Sequence, residues 1–275
     1  LKIVQQQHND FSYAAAGHDA HVDVYAMLAP VHMRRFVDLG MTAPGKSTWL
    51  PNSINVEMHQ GIDVPRDPKR MVWISSPDRG LHRLLEIYPD IRKRVPDAKL
   101  DVYYRFDPWL ADVLGGAPSP SRDIGLQISK MLGELGRDGD HGLTVSGPRS
   151  HRALAKVLHG AGCFPYTCEP ISFTEGFSVS IMDACAAGCV PVISDADAIG
   201  DIYRGETVVI QGRPSERRDV WIKTVVDVLT ADVSMKRQNV AAFASAFDRS
   251  CVVDSWDDML VHNVVARRAG LDDAG

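Results

Sequence analysis

Two carboxylates eight residues apart, Glu175 and Asp183, bracket the most chemically suggestive stretch of this chain. The stretch reads Phe173-Thr-Glu-Gly-Phe-Ser-Val-Ser-Ile-Met-Asp-Ala-Cys-Ala-Ala-Gly-Cys-Val-Pro-Val-Ile-Ser-Asp195. As a turn, a helix and a buried strand, it puts Glu175 at the mouth of the turn and Asp183 about two helical turns further on. Such a pair can hold a phosphate-linked sugar at three points. The helix end takes the phosphate, and the two acids accept from hydroxyls. Gly176 allows a tight turn and close approach of a ligand. Phe177, Ser178 and Val179 offer free N–H groups at the helix start. The plain alternative is an acid stabilising a helix dipole, with Asp183 as an ordinary surface residue. The small side chains of Ala184, Ala186, Ala187 and Gly188 suit a helix packed tightly on a sheet, which favours the site.

Two further turns carry candidate groups. Ser75-Ser-Pro-Asp-Arg79-Gly80-Leu81 follows a strand-like run and precedes an apolar helix pattern, the layout of a phosphate-facing loop. Arg79 can reach a diphosphate as a bidentate donor. Its alternative is an exposed arginine beside a helix cap. In Ser146-Gly147-Pro148, Gly147 leaves room for a nucleobase, or is simply a turn glycine. His8 follows a strand-like start and is either an active-site polar group or a solvated loop histidine. His18, Asp19, His21 and Asp23 have metal-ligand residue types, but their spacing matches no defined site, so no metal is assigned. No nucleophile elbow and no Walker loop is present.

The elements that must position these groups alternate along the chain. Short strands are expected at 1–6, 71–74, 99–104, 143–146, 163–167, 190–193 and 207–210. Helices are expected at 31–39, 80–88, 91–95, 124–135, 151–159, 179–187, 220–229 and 234–247, and residues 41–47 read as a linker. This alternation argues for an α/β fold with a parallel sheet covered by helices on both faces. Ligands of such sheets sit beyond the C-terminal strand ends.

The 275 residues can bury a large core, and 45% apolar with 24% charged residues is ordinary soluble composition. A net charge of −5 gives no support for electrostatic binding to nucleic acid or an anionic membrane. No apolar run approaches the roughly 20 residues that span a bilayer. The cysteines, Cys163, Cys168, Cys185, Cys189 and Cys251, are odd in number and form no CxxC pair. All five read as small core residues of a reducing compartment, so a cytoplasmic location is expected.

Glu175-Gly-Phe-Ser and Asp183-Ala-Cys-Ala-Ala-Gly-Cys-Val-Pro-Val resemble the Glu, seven residues, Glu motif of the retaining GT-B-fold glycosyltransferases, especially their family 4 (glycosyl transferases group 1). Leu50-Pro-Asn-Ser-Ile is similar to that family's Pro-Asn-Gly turn. Arg79-Gly80 stands where such enzymes often have Lys-Gly or Arg-Gly, and Ser255-Trp256-Asp257 resembles the entry to their closing helix. The resemblance covers residues 48–260 and implies a GT-B type, Rossmann-like fold. Residues 1–47 would be the remnant of an N-terminal acceptor-side domain, truncated or reduced, 48–255 the nucleotide-sugar domain, and 256–275 a closing helix and tail.

The resemblance also implies an activity: a hexosyl group moved from a nucleotide-diphosphate sugar, a UDP- or GDP-sugar, with retention and with no metal or other cofactor. Glu175 would hold the sugar hydroxyls, Arg79 would neutralise the departing diphosphate, and Asp183 would bond the ribose. Ser75, Ser76, Gly80, Gly147, Gly176, Phe177, Ser178 and Val179 would complete the donor site, with His8 on the acceptor side. A glycan, lipid or protein acceptor is implied, nucleic acid being disfavoured by the net charge. The chain departs from the family in having Asp at 183, in having Ser75-Ser76 where Gly-Arg is usual, and in lacking an opening Gly-rich loop. These departures leave a second reading, a nucleotide-sugar-binding module without transferase activity of its own.

Overall fold

The computed structural model of the chain describes residues 4–7, 22–137, 139, 141–169 and 175–261. It contains two parallel sheets. The smaller has the order β1-β2-β3, built from Val4–Gln7, Val24–Met27 and Ser47–Trp49. Strand β2 is buried throughout, and its side chains alternate between two faces. Tyr25 and Met27 pack with Phe36 of helix α1, Pro30–Asp38. Val24 and Ala26 pack with Leu50 and with Met259 of helix α10, Arg249–Met259. The boundary expected between residues 47 and 48 falls inside β3, whose Thr48 and Trp49 pair with Ala26 and Met27.

The larger sheet has six parallel strands in the order β6-β5-β4-β7-β8-β9. These are β4 Asp67–Trp73, β5 Lys99–Tyr103, β6 Leu143–Ser146, β7 Ala161–Tyr166, β8 Val190–Ser194 and β9 Val208–Ile210. Strands β7 and β8 are buried along their whole length, which is why they read as unbroken apolar runs rather than alternating ones. Helices α2 Leu81–Arg94, α4 Pro120–Leu135 and α8 Arg218–Thr230 pack as one group, with α8 against β4, β7 and β8. Helices α5 His151–His159, α6 Val179–Ala186 and α9 Ser234–Ser245 form a second group against β7 and β8. The chain winds outward through β5 and β6, returns to β7, and winds out the other way. This reversal opens a crevice at the C-terminal ends of β4 and β7.

Several local expectations change. The helices expected at 80–88 and 91–95 are one helix, α2, with Pro89 inside it. Pro89 removes one backbone bond, but Leu81, Leu84, Leu85, Tyr88 and Ile91 keep an unbroken buried stripe across it. Helix α3, Phe106–Gly115, has no counterpart among the expected helices. It packs on α4, where Gly125 admits Val113 closely. Helix α10 starts at Arg249 rather than at 256, because Asp248 caps it by accepting from the Ser250 N–H at 3.2 Å, and residues 262–275 of the expected closing helix and tail lie outside the described residues. Cys163, Cys168, Cys185 and Cys189 are buried, but Cys251 is exposed on α10, so it is not the core residue expected. Among the described residues no helix is long and apolar enough to cross a membrane.

The Met259 contact ties α10 to the small sheet. Met259→Ala should cost about 2–4 kcal/mol in chemical denaturation. The exposed Val253→Ala on the same helix should stay within about 0.5 kcal/mol of the parent.

Candidate active site

The crevice at the β4/β7 reversal holds an open cleft of about 380 Å³. Ser75, Ser76 and Arg79 line it from the turn after β4, Tyr166 from the end of β7, and Glu175, Phe177, Ser178, Val179 and Asp183 from α6 and its approach. The turn after β4 is shaped by aromatic residues. The indole N–H of Trp73 donates to the Ser75 carbonyl at 2.8 Å, and the Trp73 ring stacks on Tyr166 with centroids 5.3 Å apart. The Tyr166 hydroxyl lies 3.3 Å from Ser75 Oγ. Gly80 does not line the cleft. It is buried at φ 118°, and a Cβ there would meet the Thr167 carbonyl oxygen at 2.0 Å. The Thr167 hydroxyl donates to the Gly80 carbonyl at 2.8 Å. Gly80 therefore seats the start of α2 against the exit of β7 and thereby sets where Arg79 stands.

The approach to α6 is pinned from the loop after β8. The Glu175 N–H donates to Asp197 Oδ2 at 3.0 Å, and the Ala198 N–H donates to the Glu175 carbonyl at 3.2 Å. The hydroxyl of Tyr203, on the short helix α7 (Ile199–Tyr203), donates to the Ser178 carbonyl at 2.6 Å. Phe177 packs between Tyr203 and Phe247, so its ring is mostly core. Gly176 is buried and does not line the cleft. Ser178 is the N-cap of α6 but makes no side-chain cap bond, and its Oγ sits 3.1 Å from Ser180 Oγ. The first turn of α6 thus offers its N–H groups and the positive end of its dipole beside Arg79.

The Arg79 guanidinium pairs with the Glu175 carboxylate inside this cleft. Glu175 is only 6% exposed. Burial pushes its pKa up to about 7, against the pull of Arg79 and Tyr166 and with help from Asp197 and Asp78. Asp183 lies one turn beyond Val179 on α6, with its side chain one-third exposed, and His59 Nε2 stands 3.5 Å from its Oδ1. His59 belongs to a 3₁₀ turn, Val56–His59, and no sequence pattern marked it. Asp197, Tyr104, Tyr166 and His151 were likewise missed. Of these, only Asp197 had a visible signal, an acid in Ser194-Asp-Ala-Asp at the end of a buried strand.

Gly147 stands apart from the cleft, in a neighbouring cavity of about 230 Å³ that shares Tyr104 with it. A Cβ at Gly147 would touch nothing, so the space there does not depend on glycine. His8, like His18, Asp19 and His21, lies outside the described residues.

Two measurements probe this geometry. Gly80→Ala combines a left-handed backbone with a backbone clash, and should destabilise the protein by more than about 2 kcal/mol in thermal denaturation. Glu175 is held near 7 in the folded chain against an ordinary 4.5, so the folded state binds its proton more tightly than the unfolded state does. The parent should therefore lose stability relative to Glu175→Gln as pH rises from 4.5 to 7, read as the difference between their melting temperatures.

No family model matches the chain. It is 24% identical over 227 residues to the phosphatidyl-myo-inositol mannosyltransferases of Mycobacterium tuberculosis and Mycobacterium bovis, covering 79% of this chain and 54% of those proteins. The chain thus spans about half the length of the curated relatives it matches. Among solved structures, HepE of Anabaena in complex with UDP superposes with a TM-score of 0.69 at 13% identity, over 94% of this chain and 72% of that one. Sucrose-phosphate synthase of Thermosynechococcus elongatus superposes with a TM-score of 0.67 at 14% identity, over 96% and 68%. The GtfA/B complex gives 0.68 at 14% identity, over 95% and 53%. The α/β architecture built around this cleft is the GT-B, Rossmann-like fold of these glycosyltransferases.

Proposed function

We propose that the cleft binds a nucleotide-diphosphate sugar and that the chain is the donor-side part of a glycosyltransferase that works with retention. One observation carries this reading: Arg79, Glu175, Asp183 and the N-terminus of α6 converge in a single cleft at the sheet reversal. Breaking the bond between sugar and phosphate leaves negative charge on the diphosphate. Arg79 and the α6 N–H groups are fixed beforehand where that charge appears, so no reorganisation is needed as it develops. The Ser75 and Ser76 hydroxyls add donors at the same turn. Glu175, anchored through its own N–H, accepts from the sugar hydroxyls. Asp183 accepts from the ribose, and the base extends past Tyr104 toward Gly147.

In this reading the acceptor oxygen attacks the anomeric carbon on the face the diphosphate leaves. The acceptor proton passes to a diphosphate oxygen, so no metal or separate base is required. The pairing of Arg79 with Glu175 keeps two buried charges balanced before the donor arrives. The UDP complex of HepE supports a nucleoside diphosphate as the ligand, with a UDP- or GDP-sugar as donor. The small sheet β1–β3 with α1 would belong to the acceptor side, with His8 after β1. The acceptor would be a glycan, lipid or protein, and the four buried free thiols support a cytoplasmic setting.

The test is donor turnover, read as hydrolysis or transfer of UDP- and GDP-sugars. Arg79→Ala should lower kcat by about 10²–10³-fold. Glu175→Ala should abolish turnover and, by leaving Arg79 buried without its partner, lower the melting temperature, while Glu175→Gln, which keeps the side chain's shape, should abolish turnover in protein that still unfolds cooperatively. Full activity in Glu175→Ala would sink the assignment. Nucleotide binding by calorimetry without any turnover in the parent would instead favour the binding-module reading.

A further inference from the structure

Asp183 faces two spaces. It lines the donor cleft and also a smaller cavity of about 180 Å³, and the two share His151, Leu154 and Val179. A short carboxylate on a helix surface reaches either space by changing its first torsion. His59 stands at the smaller cavity, 8% exposed, with Nε2 3.5 Å from Asp183 Oδ1. Its other ring nitrogen, Nδ1, is buried and finds no hydrogen-bond partner among the described residues. A buried lone pair without a partner costs less than a buried N–H without one. The tautomer with the proton on Nε2, the nitrogen nearer Asp183, is therefore the one that fits.

The turn that carries His59 is held on both sides. The Val56 N–H donates to Asp248 Oδ1 at 3.0 Å, and Asp248 also caps α10. The Ile54 N–H donates to the Phe247 carbonyl at 2.9 Å, and the Arg249 N–H donates to the Ile54 carbonyl at 3.0 Å. From α5, the Arg152 guanidinium donates to the Gln60 carbonyl at 3.0 Å and to the Met58 carbonyl. His159 lies behind His59, with ring centroids 5.6 Å apart. Burial, then His59, Arg66 and Arg152, push the His159 pKa down to about 4, so it is neutral at pH 7 and adds no rival charge.

We infer that His59 is a positioning residue for nucleotide binding: Nε2, beside Oδ1, keeps the Asp183 carboxylate in place and leaves Oδ2 for the cleft, where it meets the ribose diol. The inference rests on the donor-site reading above. It makes an immobilised histidine, rather than the length of the acidic side chain, responsible for ribose recognition.

The test is calorimetric titration of uridine and guanosine diphosphates, each beside its 2',3'-dideoxy counterpart, into the parent, His59→Phe and His59→Gln. His59→Phe keeps a ring without the donor and should weaken the better-bound ribonucleoside diphosphate by about fivefold. It should leave the affinity for the dideoxy form unchanged. His59→Gln returns an N–H donor and should recover most of the loss. In an Asp183→Ala background, His59→Phe should have no further effect.

An equal loss on both nucleotide forms, or no loss, overturns the inference. A parent that binds ribo and dideoxy forms equally well overturns it too, while leaving the diphosphate site in place. A parent that binds no nucleoside diphosphate removes the donor-site reading, and the inference with it.

Discussion

The site turns on one buried ion pair at the point where the sheet reverses direction. Arg79 arrives on the turn after β4 and Glu175 on the loop before α6, 96 residues later in the chain. Removing both charges from water is expensive, so each needs the other and needs fixed polar neighbours. The structure supplies those neighbours from three strand ends. Tyr166 comes from β7 and Ser75 from β4, while Asp197, from the loop after β8, fixes the Glu175 backbone N–H. The pair's location follows from topology: parallel strands on either side of a reversal leave a crevice at the C-terminal edge of the sheet.

The backbone around the pair is restrained in the same way. Gly80 has no side chain because the Thr167 carbonyl occupies that space, and Asp197 adopts a positive φ of 50° where it accepts from the Glu175 N–H. Such restraints are local costs that a rigid site sustains from the packing beneath it. Here that packing is the stacked Trp73 and Tyr166 rings, and Phe177 lodged between Tyr203 and Phe247.

A second node, Asp248, links distant parts of the chain. It caps α10, whose Met259 packs on the small sheet, and it accepts from the Val56 N–H in the turn that carries His59. One contact of the small sheet with the rest of the protein and the surroundings of Asp183 thus share one carboxylate. Asp248 thereby connects the start of α10 with the turn beside Asp183.

Much of this was legible in the sequence. Periodicity alone separated the strands of the larger sheet from most of its helices, because strands covered on both faces must be apolar throughout. The small residues after Asp183 marked α6 as a tightly packed helix. Glu175, Arg79 and Asp183 stood out because their residue types beside turn glycines suit a phosphorylated sugar. What stayed hidden depends on contacts between segments far apart in sequence. That β3 pairs with β2 across the expected 47/48 boundary was invisible, because its three residues carry no sign of which sheet they join. Gly80 read as a ligand-facing glycine, and only the Thr167 carbonyl against it shows a packing role. His59 and Asp197 belong to no motif, since a single polar residue acquires a partner only once the chain has folded around it. The sequence by itself determined the alternating architecture and the acids and arginine of the cleft, since both are written in local spacing. The tertiary structure decided which of those groups meet, which glycines only pack, and which histidine stands behind Asp183, because each is a distance between residues that the chain keeps apart.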